Sequence, residues 1–390
     1  MNEIKKKNMN GTISEKKHNK KVPKTSRIVF WVLFITISSL ILAFLFYAYV
    51  YRKHHEPPTT AQSTTQESLY NFTNQKLLLT LTPKVKKAAF SGHSSEIEEG
   101  TYLIPGLNAT ETQIYGQKKT SAICTSMTPQ GLTVTKDYLF VSAYCQTQKH
   151  NSVIYVIDKH THEFIKELVL RDKSHVGGLA YDPVHNNVWI CGMSNGVPQV
   201  HTLHVDDIEN YSFQENYLPI TYSQTYDLYA IARTSFLAYH ENSLYVGYFT
   251  KSGSSVLEKY EMNNGGLLKT HFSENELDTL DTPPIALPSD TLVIEEQAQG
   301  VTFYKNYLLF SHSYGMKSSY LRVFENSYMK LLESDSANYK IRFPSRMEQI
   351  CADGDDLYVL FESAAYAYQA SSLVHLDRIL KLDLHVLLED

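Results

Sequence analysis

Only four cysteines occur in the 390 residues, Cys124, Cys145, Cys191 and Cys351, and none stands in a C-x-x-C pair. Zinc-ribbon and thioredoxin-like redox motifs are thereby excluded. Outside the cytoplasm the four would allow three disulfide pairings, and because all lie in or beside strand-like apolar runs, buried thiols serve equally well. G-x-S-x-G, H-E-x-x-H and Walker sequences are absent, and no nucleophile has a base at a recognisable spacing. The stretch ADGDD lacks the twelve-residue calcium loop with its terminal Glu, so Asp353, Asp355 and Asp356 read as a hairpin turn. KSHVGG around His175 lacks the strand-loop-helix setting of a phosphate loop, and its glycines read as close packing near a sheet centre.

Positive charge is scarce in most of the chain. Beyond residue 53, 25 Lys and Arg face 39 Asp and Glu, which argues against nucleic acid as a partner because phosphate binding needs clustered cation. The first 53 residues reverse the balance, with eleven basic residues against two acidic ones. With 43% hydrophobic and 20% charged residues, the bulk of the chain is neither disordered nor polytopic.

One long apolar run is present, Ile28 to Tyr51, with no formal charge in 24 residues. As a helix it crosses the roughly 30 Å hydrocarbon layer, and Trp31, Tyr47, Tyr49 and Tyr51 fit the interfacial aromatic belts. Nine Lys and Arg precede the run, whereas Arg52 and Lys53 alone follow it closely. That bias predicts a single-pass signal anchor with residues 1–27 as a basic cytoplasmic tail and the rest outside the plasma membrane. No A-x-A cleavage site follows. Residues 52–83, rich in Thr, Ser, Gln and Pro, read as a solvated linker. Asn71, Asn108 and Asn210 begin N-x-Ser/Thr sequons.

Residues 84–390 repeat themselves. Five segments share an apolar strand, a short polar turn and an aromatic-rich strand: QGLTVTKDYLFVSAYC, GGLAYDPVHNNVWICG, SFLAYHENSLYVGYF, QGVTFYKNYLLFSHSYG and EQICADGDDLYVLFES. With Gly131, Gly178, Ser235, Gly300 and Gln349 as equivalents, the period is that of a propeller blade. The first unit reads as four strands, GLTVT, DYLFVSAYC, SVIYVIDK and EFIKELVL; the third ends on LLKTHFS and the fourth on MKLLESD. The last unit runs out of chain, so its outer strand is expected from residues 84–123. An all-β, five-bladed propeller follows, with six blades as the alternative if the Pro-rich insert TPPIALPSDTLVIEE hides further strands.

VIYVIDKHTHEFIKELVL resembles the strand-turn-strand of YVTN/YncE-type and NHL-type β-propeller repeats, and GLAYDPVHNNVWI and GVTFYKNYLLF look like their inner hairpins. The resemblance covers about residues 125–385 and implies a propeller that binds a partner or ligand on one face, with no catalytic residue carried over.

In a propeller, the turns leading into each inner strand and those joining the second and third strands share one face. That geometry selects Gln130, Tyr144, His175, Arg233, Gln299, His312, Tyr314, Arg346, Glu348 and Glu362 as a partner-binding set. Propellers of the lactonase type hold calcium in the channel; here Glu348, Glu362 and Asn195 are the nearest match, beside two arginines that oppose a cation. The reading is therefore a binding or scaffolding module at a bacterial cell envelope, engaging a protein or wall glycan without a cofactor, with a calcium-dependent hydrolase or lactonase as the alternative.

Overall fold

The computed structural model describes residues 24–54, 63–70, 80–89, 100–271, 282–325, 331–332 and 334–389. The basic tail before residue 24, residues 55–62 and the Asn71 sequon lie outside them. The chain forms two units, residues 1–56 and 57–390.

The first unit is a helix, Lys24–His54. Within it Ile28–Ala48 has a mean hydropathy of 2.7 and buries nothing against protein, and its length and composition suffice to cross a membrane. Thr36 and Ser39 turn their hydroxyls back onto the carbonyls of Val32 and Ile35, so neither leaves a free donor on the apolar surface.

The second unit is a five-bladed propeller. Blade 1 comprises Met127–Val134, Tyr138–Cys145, Val153–Asp158 and Phe164–Val169, from the inside outwards. Blade 2 comprises Leu179–Asp182, Asn187–Ser194, Val197–His204 and Gln224–Asp227. Blade 3 has Phe236–His240, Ser243–Gly247, Ser255–Glu261 and Asp290–Ile294, and blade 4 has Ala298–Tyr304, Tyr307–His312, Ser319–Glu325 and Tyr339–Phe343. Blade 5 uses Met347–Asp353, Asp356–Phe361 and Arg378–Asp383, and takes its outer strand from Thr101–Leu103, paired Thr101 to Leu380. The ring thus closes with a strand from the segment expected to supply it.

The strands read as continuous apolar runs because each blade is buried on both sides. In Val153–Asp158, Val153, Tyr155 and Ile157 pack towards blade 5 while Ile154 and Val156 pack towards blade 2. Five hydrophobic clusters fill the five blade-to-blade contacts in this way.

Four details correct the sequence reading. The outer strand of blade 3 is DTLVI from the Pro-rich insert, which therefore hides no sixth blade; LLKTHFS makes isolated bridges at Leu268 and Thr270 instead. In blade 4 the outer strand is YKIRF, while Leu331–Leu332 from MKLLESD lies parallel to the outer strand of blade 3. Phe236, one residue past Ser235, stands before Leu237, the register equivalent of Leu132 and Leu179. Part of the stretch read as solvated linker is attached to the propeller: Thr64 donates to Glu167 at 2.8 Å, Ser68 Oγ and Leu69 N donate to Asp377, and Tyr70 stacks on His375.

At the axis the inner strands meet backbone to backbone, and one side chain joins them. The buried Gln349 amide accepts from Leu132 N and Leu179 N at 3.1 and 2.9 Å and donates to Leu179 O and Leu237 O at 2.6 and 2.8 Å. All of its hydrogen-bonding capacity is used, on blades 1, 2 and 3 from a position in blade 5.

Candidate functional site

The upper face carries the turns that lead into the inner strands and those that join second to third strands. Local backbone irregularities recur at its centre. The inner strands of blades 1, 4 and 5 are each bulged, between Pro129 and Leu132, between Ala298 and Gly300, and between Met347 and Ile350. A bulge re-aims the side chain it displaces, and the displaced residues include Gln130, Gln299 and Glu348. The turns before blades 2, 4 and 5 hold Val176, Gln297 and Arg346 at φ 45°, 65° and 64°. For β-branched Val176 this is a strained conformation, the kind that persists only where surrounding structure enforces it.

These displacements bring six of the ten selected residues into one buried cluster. Gln130 Nε2 donates to Glu362 Oε2 at 2.9 Å, Arg346 reaches Glu362 Oε1 at 3.5 Å, and Gln299 lies 3.4 Å from Glu348. Tyr144 adjoins the carboxylates, whose charge together with burial raises its phenol to about 12, burial being the larger cause. Glu348 and Glu362 are 3% and 7% exposed, so the mouth is a desolvated set of two acids and one guanidinium. Arg346 is fixed on its other sides by Ser372, Ser371 and the Tyr368 ring, 3.9 Å beneath it.

Of the other four, His175 and Arg233 are exposed on the same face, with His175 stacked on Tyr144 at 4.3 Å. His312 is buried, hydrogen-bonded to the Glu296 carbonyl, and lowered to about 4 by burial, a neutral packing residue. Tyr314 is exposed and packs near Phe249 and Lys251. Asn195 is exposed in a tight hairpin turn of blade 2, and among the described residues no third His, Cys, Asp or Glu joins Glu348 and Glu362 as a potential ligand group.

Sequence reasoning missed Tyr368, Ser371 and Ser372, which come from the connection between Phe361 and Arg378. The length of that connection was the available signal, since loops that exceed a tight turn commonly carry function. It also missed a cavity of about 500 Å³ at the opposite, lower mouth, lined by Thr135, Lys159, Tyr239, Phe303 and Asp353 and floored by Gln349. None of the ten selected residues lines it.

Burial raises Glu362 to about 7 from an ordinary 4.5, against the opposing pull of Arg346 and Gln130, and burial and the Glu362 charge raise Glu348 as well. Between pH 4.5 and about 7 the folded protein therefore holds more protons than the unfolded chain, and stability falls as pH rises through that window. Glu362→Gln, which keeps the shape without the charge, should flatten the fall in denaturation midpoint over this range. Glu167, raised to about 7 by burial, leaves a residual slope in the same direction. A slope unchanged by the substitution would contradict the assignment.

No family model matches the sequence, and no curated protein matches it. Among solved structures the chain is similar to the RRP9 WD40 repeats, at 8% identity over 73% of this chain and 99% of that one, with a TM-score of 0.40. It is similar to a chain of a nidogen/laminin complex at 10% identity, over 74% of this chain and 91% of that one, with a TM-score of 0.37. It also matches Kuenenia stuttgartiensis hydrazine synthase at 11% identity over 59% of this chain, spanning 55% of that chain, with a TM-score of 0.32. The blades themselves define the class: a five-bladed β-propeller with a closed axis and a buried acid-arginine mouth.

Proposed function

We propose that the chain is a single-pass membrane protein, N-terminus inside, whose propeller acts outside the plasma membrane as a binding or scaffolding module of a bacterial cell envelope. The upper face engages a protein or wall-glycan partner. The observation that carries this reading is a collar of aromatic and cationic side chains around that face. Lys173 lies over Tyr115 at 4.6 Å and Lys251 over Tyr314 at 5.8 Å, while the buried mouth inside them holds Arg346 over Tyr368 at 3.9 Å. Tyr229, Met316 and Leu373, in connections on the same face, are 65%, 66% and 93% exposed. Tyr and Arg with exposed apolar neighbours are the side chains that dominate recognition surfaces, since they bury area and keep a polar handle. The anchor is supported by the apolar helix and by the basic flank before it.

A photo-crosslinking residue at Tyr229 or Tyr314, in cells expressing the full chain, should yield discrete higher-mass adducts. The same residue at Val184, in a hairpin of the lower face, should yield none. Adducts from Val184 alone would move the partner to the lower mouth, and none from any position would remove the binding face. Protease added to intact cells should remove a C-terminal tag; its protection would refute the orientation.

A further inference from the structure

We propose that Cys124, Cys145 and His150 form a zinc site that fastens the hairpin preceding blade 1 to the propeller. Cys145 and His150 stand five residues apart in sequence, and the fold brings the more distant Cys124 to them. Cys124 ends the strand Ala122–Cys124, which pairs with Thr110–Thr112; Cys145 ends the second strand of blade 1; and His150 follows in the upper turn, bridged to Ile114. Their ligating atoms all lie within 4.8 Å of one another, and among the described residues no other three His, Cys, Asp or Glu do so.

The separation of Cys145 Sγ and His150 Nδ1 is 3.4 Å. Tetrahedral zinc, with sulfur at about 2.3 Å and nitrogen at about 2.0 Å, sets such ligands roughly 3.5 Å apart. Ser126 Oγ stands 3.7 Å from each thiol and Thr147 Oγ1 3.2 Å from Cys145 Sγ, so hydroxyls are at hand to support a fourth, water ligand. Charge selects the ion. Both cysteines are fully buried, and two thiolates with Zn²⁺ make a neutral unit, whereas a monovalent soft cation would leave net charge in a dry site. His150 is half-buried and gives a path from the upper face.

The site would fix the position of Tyr115, whose amide bonds to the Lys149 carbonyl. It joins the hairpin to the upper turn of blade 1 and so sets one side of the collar.

The test uses the full chain purified in detergent without chelators or reductant and dialysed against buffered low free zinc. About one zinc per chain is expected, with an X-ray absorption edge fitted by two sulfur neighbours at about 2.3 Å and nitrogen or oxygen at about 2.0 Å. Cys124→Ser and Cys145→Ser should each weaken zinc binding by roughly 100-fold or more, His150→Ala by about tenfold or more, and Cys351→Ser not at all. The absorption measurement on unaltered protein decides the matter if the serine variants fail to fold. A Cys124–Cys145 disulfide found by peptide mapping of unreduced protein, zinc surrounded by oxygen and nitrogen alone, or no retained zinc would each overturn the proposal.

Discussion

Gln349→Leu should destabilise the propeller more than Gln349→Ala does, although leucine is the larger and more apolar replacement. Leucine fills the axis but bonds to nothing, leaving the amides of Leu132 and Leu179 and the carbonyls of Leu179 and Leu237 buried without partners. A buried polar group left unpaired costs about 1 to 3 kcal/mol, so the four together cost roughly 4 kcal/mol or more even after some relaxation. Domains of this kind are stable by only about 5 to 15 kcal/mol, and the variant should sit near the edge of folding. Alanine opens a path from the lower cavity, which Gln349 floors, and entering water can satisfy some of the four groups, limiting the loss to about 2 kcal/mol. Urea titration of the three proteins, read by tryptophan fluorescence from the fully buried Trp189, measures the order. A leucine variant as stable as the parent would show that the axis does not depend on this amide.

Gly178→Ala should be nearly as damaging for the opposite reason. A methyl group there would sit 2.5 Å from Leu237 N and 2.5 Å from Phe236 Cα, both backbone atoms of the next blade. Backbone cannot swing aside as a flexible side-chain tip does, so blades 2 and 3 must separate. The expected loss is about 3 kcal/mol, at the upper end for an overpacked core. Gly196→Ala is the useful contrast: nothing lies within 4 Å of a methyl there, and its φ of 83° limits the expected cost to about 1 kcal/mol. Denaturation midpoints that rank the two substitutions the other way would refute the close approach of the inner strands.

The inner hairpins were legible in the sequence because they are local: a glycine or other axial residue, an apolar strand, a turn of two to four residues and an aromatic strand repeat within about 16 residues. Blade 1 could be read strand by strand, since its connections are short. The outer strands of blades 3 and 4 could not, because long stretches of sequence separate the third and fourth strands and offer several apolar segments of equal merit, LLKTHFS and DTLVI among them. Gln349 stood out only as the long side chain at a position that is glycine in three of the other four repeats. That mismatch carried the information that one blade fills the space the others leave, but a single sequence gives no means to weigh it. Gln130, Arg346, Glu348 and Glu362 were reachable through the face rule, whereas His312 obeyed the same rule and turned inward to the Glu296 carbonyl. The addition of Cys124 to Cys145 and His150, and the attachment of Ser68 and Leu69 to Asp377, arise from tertiary placement alone.

The pairing of Thr101–Leu103 with Arg378–Asp383 also dictates an order of assembly. The first strand of the ring to be synthesised belongs to its last blade, so it has no partner until almost the whole domain has emerged. Joining segments so distant costs only logarithmically more entropy than joining near ones, but it delays the event, and until then the edge of Arg378–Asp383 offers open hydrogen-bonding groups to any strand at hand. At that stage a neighbouring copy could supply its own Thr101–Leu103, linking two half-closed rings into a swapped pair. A chain cut short before residue 378 would lose the edge itself, leaving the early strand with nowhere to dock.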